Sequence, residues 1–339
     1  MSALMARGTH FSILAHPVDR IGEDTMHGDR PRHPGLALTG AALVLLLLCT
    51  MLCGPAAAAS EPVQMSFRTP EAAVEALRTA LKNDDQGTLI ALFGAEYAPK
   101  LLNPEKEVAL ETRKRLADAM AQGTTLRQDT ADRVVLIVGT DQWPFPIPLV
   151  KSGSDWRFHT SAGLDEILNR RIGRDELTAI GVCRAYITAQ RDYARKIRDS
   201  SGVRKFAQHL VSTKGKQDGL YWDPKTADGE ESPFGPLIAE YLKGGRKAGD
   251  PYYGYYFRVL TRQGNNVPGG RYNYVINGNM IGGFALVAFP AEYGKTGVMT
   301  FLVSHHGKVY QKDLGPNTTK IARDMQEFNP DKTWTEAQD

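Results

Sequence analysis

The feature that most constrains the fold is the patterning of residues 252–315. Tyr253, Tyr255, Phe257 and Val259 fall on one side of an alternating run, and Tyr252, Gly254, Tyr256, Arg258 and Leu260 on the other. A period of two in an aromatic and β-branched run specifies a strand with one better-buried face. Each Phe or Val fully buried there contributes roughly 1.5–3 kcal/mol. Gly264, Asn265, Asn266, Pro268, Gly269 and Gly270 crowd residues 261–270, which predicts a loop. Tyr272, Tyr274 and Ile276 then resume in phase. After Gly282-Gly283, residues 284–289 are apolar on both faces, the pattern of a central strand covered from both sides. Pro290 has no N–H for a ladder and ends it. Residues 298–304 form a further apolar strand, and His305-His306-Gly307 a tight connection, with Gly307 free to take positive φ. The more polar run 308–312 predicts an edge strand, where lysine discourages further pairing.

The sheet is preceded by helices. Residues 175–198 carry Ala179, Cys183, Tyr186, Gln190, Tyr193 and Ile197 at three- and four-residue spacing, which predicts a long helix lying across the sheet. A short helix over 164–170 leads into it, with Gly173 as punctuation. Residues 203–211 read as helical, 212–249 as a long loop with one or two helical turns at 237–242. A final helix is capped by Asn317 or Thr318, with Ile321, Met325 and Phe328 inward.

Further upstream, Thr69-Pro70-Glu71 is a helix start: N-cap, proline at the first helical position, acid in the first turn. Ala73, Val74, Leu77, Ala80 and Leu81 form its apolar face. A second short helix covers 88–93. Asn103-Pro104-Glu105 opens another helix, with Val108, Leu116, Ala119 and Met120 inward and Gly123 at its end. Strands are predicted at 133–138 and 143–150, the latter able to pair along one edge only because Pro144, Pro146 and Pro148 alternate. A turn at 151–155 and a strand from Trp156 and Phe158 follow. The fold class is therefore α+β: N-terminal helices plus a small antiparallel sheet, then a long helix packed on a C-terminal antiparallel sheet. The opening, residues 66–165, resembles in outline the small cone-shaped NTF2-like domains.

Residues 36–52 are apolar and uncharged, follow Arg30 and Arg32, and end at Pro55 and four alanines. This is the pattern of a secretory signal peptide cleaved after Ala59, with a retained membrane anchor as the competing reading. Initiation at Met26 would give a signal of conventional length. The expected organisation is a signal at 1–59, an N-terminal α+β domain at 60–163 and a helix-plus-sheet domain at 164–339, in a periplasmic or secreted protein. Cys49 and Cys53 leave with the signal, so Cys183 stands alone and no internal disulfide supports the fold. A net charge of +3 over 339 residues is too small to imply nucleic acid. Membrane contact is expected only through the signal segment before cleavage.

Several segments together resemble a bacterial family of exported proteins, domain of unknown function 2950. They are Asp141-Gln142-Trp143-Pro144-Phe145-Pro146-Ile147-Pro148, Arg170-Arg171-Ile172-Gly173, Val182-Cys183-Arg184-Ala185-Tyr186, Asp218-Gly219-Leu220-Tyr221-Trp222, Tyr253-Gly254-Tyr255-Tyr256 and Gly297-Val298-Met299-Thr300-Phe301. The resemblance spans about 65–335 and implies no activity, substrate or catalytic residue. A helix, loop and sheet in this order are also similar to the globular part of type II secretion pseudopilins. In that family, however, the helix stands at the mature N-terminus.

No catalytic, cofactor or metal motif emerges. Cys183 lies on the inward stripe of a helix, as a structural cysteine does. His305-His306 lack an acidic or thiol partner at metal-ligand spacing. Arg198-Asp199-Ser200-Ser201-Gly202 offers a calcium ion one carboxylate. Gly278, Gly282 and Gly283 do not precede a helix, so they form no phosphate cradle. Arg191, Arg195, Lys196, Arg198, Arg204 and Lys205 read as a solvated helix face, or alternatively as a surface for an anionic envelope polymer. The candidate binding residues are Tyr221, Trp222, Tyr252 and Tyr256, which could form an aromatic platform for an envelope glycan, peptide or protein partner. The competing reading folds Trp222 down onto the sheet. The functional expectation is a non-enzymatic envelope binding or assembly module without a cofactor. The alternatives are a hydrolase of a cell-wall or secreted polymer, using Asp141, Asp218, Glu292 and Asp313 if they converge, and a pseudopilin-like filament subunit.

Overall fold

The computed structural model describes residues 64–101, 106–198, 200–226, 229–235 and 249–338. The signal segment, the cap at Asn103-Pro104-Glu105, Asp199 and the helical turns expected at 237–242 lie outside the described residues. The chain divides into two compact units, with the boundary between Glu166 and Ile167. Among the described residues no helix is long and apolar enough to cross a membrane.

In the first unit, helix α1 (Pro70–Lys82) starts where its cap dictates, with Thr69 Oγ1 accepting from Ala72 N at 3.2 Å. All five residues of its expected apolar face are buried. Helix α2 (Gln86–Phe93) is capped by Asp85, and a short α3 (Ala98–Leu101) follows. Helix α4 (Lys106–Gln122) buries Leu116, Ala119 and Met120, and Arg78 Nη1 donates to its Met120 carbonyl at 2.9 Å. A basic group at a helix C-terminus satisfies an orphan carbonyl and complements the dipole.

The sheet of this unit runs β1 (Thr124–Thr130), β2 (Arg133–Val138), β4 (Leu149–Ser152), β5 (Asp155–Phe158), with β3 (Trp143–Pro144) also paired to β2. In the proline-rich run, Trp143 and Pro144 pair with β2 alone, through Trp143↔Val138 and Pro144↔Ile137. Leu149 and Val150 at its end pair with β2 on one side and β5 on the other, which corrects the expectation of a strand 143–150 with one usable edge. Strand β1 was not foreseeable from alternation. Its sequence TTLRQDT is polar and its backbone is held by pairing along β2.

Helix α5 (Thr160–Tyr193) is one continuous helix of 34 residues, and this corrects the expectation of two helices ending at residue 198. A Cβ on Gly173 would meet nothing within 4 Å. A helical glycine costs only about 1 kcal/mol relative to alanine, too little to break a helix that side-chain burial holds. Ala179, Cys183, Tyr186, Gln190 and Tyr193 are buried as expected, but Ile197, past the helix end, is 53% exposed.

Residues 203–211 are not helical. Gln190, buried on α5, accepts from Ala207 N and donates to Ala207 O, both at 2.8 Å. The side-chain amide thus stands in for a neighbouring strand and keeps the backbone extended. The chain continues into β6 (His209–Val211), parallel to β7 (Gly219–Tyr221).

The main sheet of the second unit has five strands in the order β16 (Thr335–Glu336), β15 (Val309–Asp313), β14 (Met299–Ser304), β13 (Ala285–Pro290), β8 (Tyr255–Leu260). Short pairs β9 (Arg262–Gln263) with β10 (Tyr272–Asn273), and β11 (Val275–Ile276) with β12 (Asn279–Met280), lie in the connection from β8 to β13. Strand β13 is buried at all six positions, pairs on both sides and ends at Pro290 as expected. The expected edge 308–312 is not an edge, because β16 returns to pair with β15 through Tyr310↔Glu336 and Gln311↔Thr335. The last helix, α6 (Thr318–Asp324), buries Thr318 and Ala322, whereas Ile321 is 42% exposed and the buried Phe328 lies beyond it. Arg258 Nη2 donates to the Ala322 carbonyl at 2.8 Å and also to that of Met325, which fixes α6 on the Arg258 face of the sheet. The charges of Asp175 and Glu176 on α5 act on the Tyr255 hydroxyl. Strand residues alternate between faces, so α5 and α6 cover opposite sides. The fold is α+β.

Candidate functional site

Strand β8 begins at Tyr255 and not at Tyr252, because Tyr252-Tyr253-Gly254-Tyr255 is a tight turn. Tyr252 N donates to Tyr255 O at 2.8 Å and Tyr255 N to Tyr252 O at 3.1 Å. Tyr253 and Gly254 both have positive φ, 45° and 73°, the pattern of a two-residue type I′ connection. Glycine or asparagine ordinarily occupies such positions, and a bulky side chain there is an outlier. Tyr253 is 38% exposed and its ring stands edge-on to Tyr252, with ring centroids 4.7 Å apart.

The turn is seated on a close-packed base. A Cβ on Gly254 would lie 2.7 Å from the Thr296 Cβ and 3.2 Å from Asp175 Oδ2. A Cβ on Gly297 would lie 2.1 Å from the Tyr255 hydroxyl, so only glycine fits there. The buried Tyr255 donates its hydroxyl proton to Met299 O at 2.9 Å. Glu176 Oε1 accepts from Val298 N and Met299 N at 2.9 and 3.0 Å, and Arg171 Nη2 donates to Lys295 O at 2.9 Å. Thr296 closes the loop after β13 through hydrogen bonds with Glu292.

Two adjacent carboxylates of α5 therefore differ. Glu176 is satisfied by two backbone donors. Asp175 receives no hydrogen bond from the described residues, and burial pushes it up to about 6, against the opposing pull of Arg171 and Arg174 and with a smaller contribution from Glu176. The Tyr255 hydroxyl is raised by burial and by the neighbouring Glu176 and Asp175 charges.

Residues 64–337 match the model of a family described as "Protein of unknown function (DUF2950)". The chain belongs to this family. No curated protein and no solved structure matches it, so the pseudopilin likeness gains no support. Two of the segments that carried the DUF2950 resemblance, those containing Gly254 and Gly297, meet on Tyr255 at this site.

The four aromatic residues expected to form one platform in this DUF2950 chain do not share a surface. Trp222 is 3% exposed: its Nε1 donates to Glu230 O at 2.9 Å, its ring meets Tyr193 edge-on, and the Arg198 guanidinium lies 4.8 Å from its centroid. Tyr221 is half-buried in β7. Tyr256 faces the α6 side, with the Arg323 guanidinium 5.7 Å from its ring. Tyr252 alone of the four belongs to the turn. Tyr253, Gly254 and Asp175 were missed. The Tyr-Gly pair is itself a turn signal, hidden inside an alternating aromatic run.

Three of the four expected hydrolase carboxylates serve a local purpose. Asp218 accepts from Thr213 N and Oγ1 at 2.7 and 2.8 Å, Glu292 pairs with Lys295 at 2.7 Å, and Asp313 accepts from the Tyr293 hydroxyl and Gly315 N. Asp141 is an exposed residue of the first unit. Burial raises the Cys183 thiol to about 12, which keeps it protonated and inert. His305 packs edge-on to Tyr274 and Phe284, and burial lowers its basicity. The basic run is not one helix face: α5 ends at Tyr193, and Lys196 and Arg198 converge on Glu230 at 2.8 and 2.7 Å. Among the described residues no group of three or more His, Cys, Asp or Glu is placed to hold a metal ion.

Proposed function

We propose that this protein is exported to the cell envelope, as a periplasmic or secreted protein, and that it binds an envelope component without turning it over. The working surface is the Tyr252–Gly254 turn. One observation carries the reading: Tyr253 occupies a left-handed backbone conformation that disfavours it, and the residue is 38% exposed. Strain of this kind costs of order 1–3 kcal/mol and persists at sites where the side chain has a task. The N-terminal apolar run with its alanine cluster supports export.

The test is co-sedimentation of the purified chain with an insoluble cell-envelope preparation, using Tyr253→Asn. Asparagine tolerates the left-handed turn. The variant is expected to keep or raise the melting temperature while losing most of the bound fraction. Unchanged binding would remove the turn from the function.

A further inference from the structure

We propose that the component bound at this turn is a carbohydrate, recognised by Tyr252 and Tyr253 as stacking rings and by Asp175 as a hydrogen-bond acceptor. The inference rests on the preceding reading and gives the ligand its chemistry. Sugar rings offer an apolar C–H face and a rim of hydroxyl donors. A site for them combines an exposed aromatic surface with polar groups whose hydrogen bonds are unfilled. Tyr253 supplies the first, with the half-buried Tyr252 ring edge-on to it, on a turn whose two backbone hydrogen bonds are both made. Asp175 supplies the second. Its carboxylate comes within van der Waals range of where a Gly254 side chain would begin, one residue from the Tyr253 ring. It accepts no hydrogen bond from the described residues, although the adjacent Glu176 accepts two. A half-buried carboxylate that accepts from no donor of the described residues is open to a ligand hydroxyl in the place of water.

The charges around Asp175 favour a neutral ligand. Arg171 and Arg174 of α5 lie beside it, with Glu176 on the same helix, the Tyr255 hydroxyl on β8, and Lys295 and Glu292 of the following loop paired with each other. Two guanidinium groups oppose a cationic ligand, and two carboxylates oppose an anionic one. Gly254 leaves room for the carboxylate: any larger residue would meet Asp175 and Thr296. An ionised Asp175 accepts from two hydroxyls at once, whereas the protonated acid has less acceptor capacity. Affinity is therefore expected to be full at neutral pH and to weaken as the pH falls through about 6.

The experiment is calorimetric titration of the full chain with a tetramer of N-acetylglucosamine, at pH 7.5 and pH 5, beside co-sedimentation with intact envelope polymer. Wild type should bind the tetramer. Tyr253→Asn should abolish binding, and Asp175→Asn should weaken it about tenfold at pH 7.5 and remove its pH dependence. If the chain sediments with the polymer, loses this in Tyr253→Asn, and is not competed by the tetramer, the carbohydrate assignment is overturned and the turn remains a site for another class of partner. If wild type sediments with nothing, both readings fail. Asp175→Asn with wild-type affinity at both pH values would remove the aspartate from the recognition set.

Discussion

A tyrosine at φ 45° and an aspartate pushed up to about 6 sit one residue apart across a packed contact, and each has a measurable signature. The sign for Asp175 follows from linkage. Its folded value lies above the ordinary 3.8, so between about pH 4 and 6 the folded chain holds the proton more tightly than the unfolded one. Its contribution to stability is therefore largest at low pH and is lost as pH rises through about 6. Asp175→Asn should raise the melting temperature above pH 7 and change it little near pH 4. A difference constant across that range would show that the carboxylate is not held as described. Trp222 makes the opposite case. Its indole N–H is bonded and its ring is enclosed by Tyr193 and Arg198, so Trp222→Ala should cost about 3–5 kcal/mol in denaturant unfolding. A loss below about 1 kcal/mol would return it to the surface. From sequence, Trp222 could be read either way, since an aromatic in a loop signals a platform and a lid equally. Tyr253 was concealed by the alternation around it.

At the level of elements, legibility follows how local the determining forces are. Helix α1 could be read because its cap, its proline and its apolar face all lie within the segment. Strand β13 could be read because six apolar residues between Gly283 and Pro290 have few other fates. Strand β1 could not, because its partner and not its composition makes it a strand. Residues 203–211 were misread because Gln190, distant in sequence, decides their backbone. Glycines divide in the same way. Gly173 sits in open helix, so Gly173→Ala should stabilise by about 0.5–1 kcal/mol in thermal or denaturant unfolding. Gly297 touches the Tyr255 ring, so Gly297→Ala should destabilise by at least about 1–3 kcal/mol. A neutral Gly297→Ala would mean that the loop after β13 can move off Tyr255, and the base of the proposed site would not be rigid.

Over the whole molecule, each unit has its own hydrophobic core, and the long helix α5 passes through the boundary between them. The α+β class and the family were legible because they depend on periodicity and motif. The site was not, because it is assembled from a helix, a turn and a loop more than 40 residues apart along the chain. The fully buried strand β13 has a further bearing on the life of the chain. Phe-Ala-Leu-Val-Ala-Phe is uncharged, rich in strand formers and closed by Pro290, and in an unfolded polypeptide it would stack on copies of itself. The glycine pair before it and the proline after it limit how far such stacking can spread. Any delay in folding leaves this segment exposed, and delayed folding should show first as fibrous aggregate.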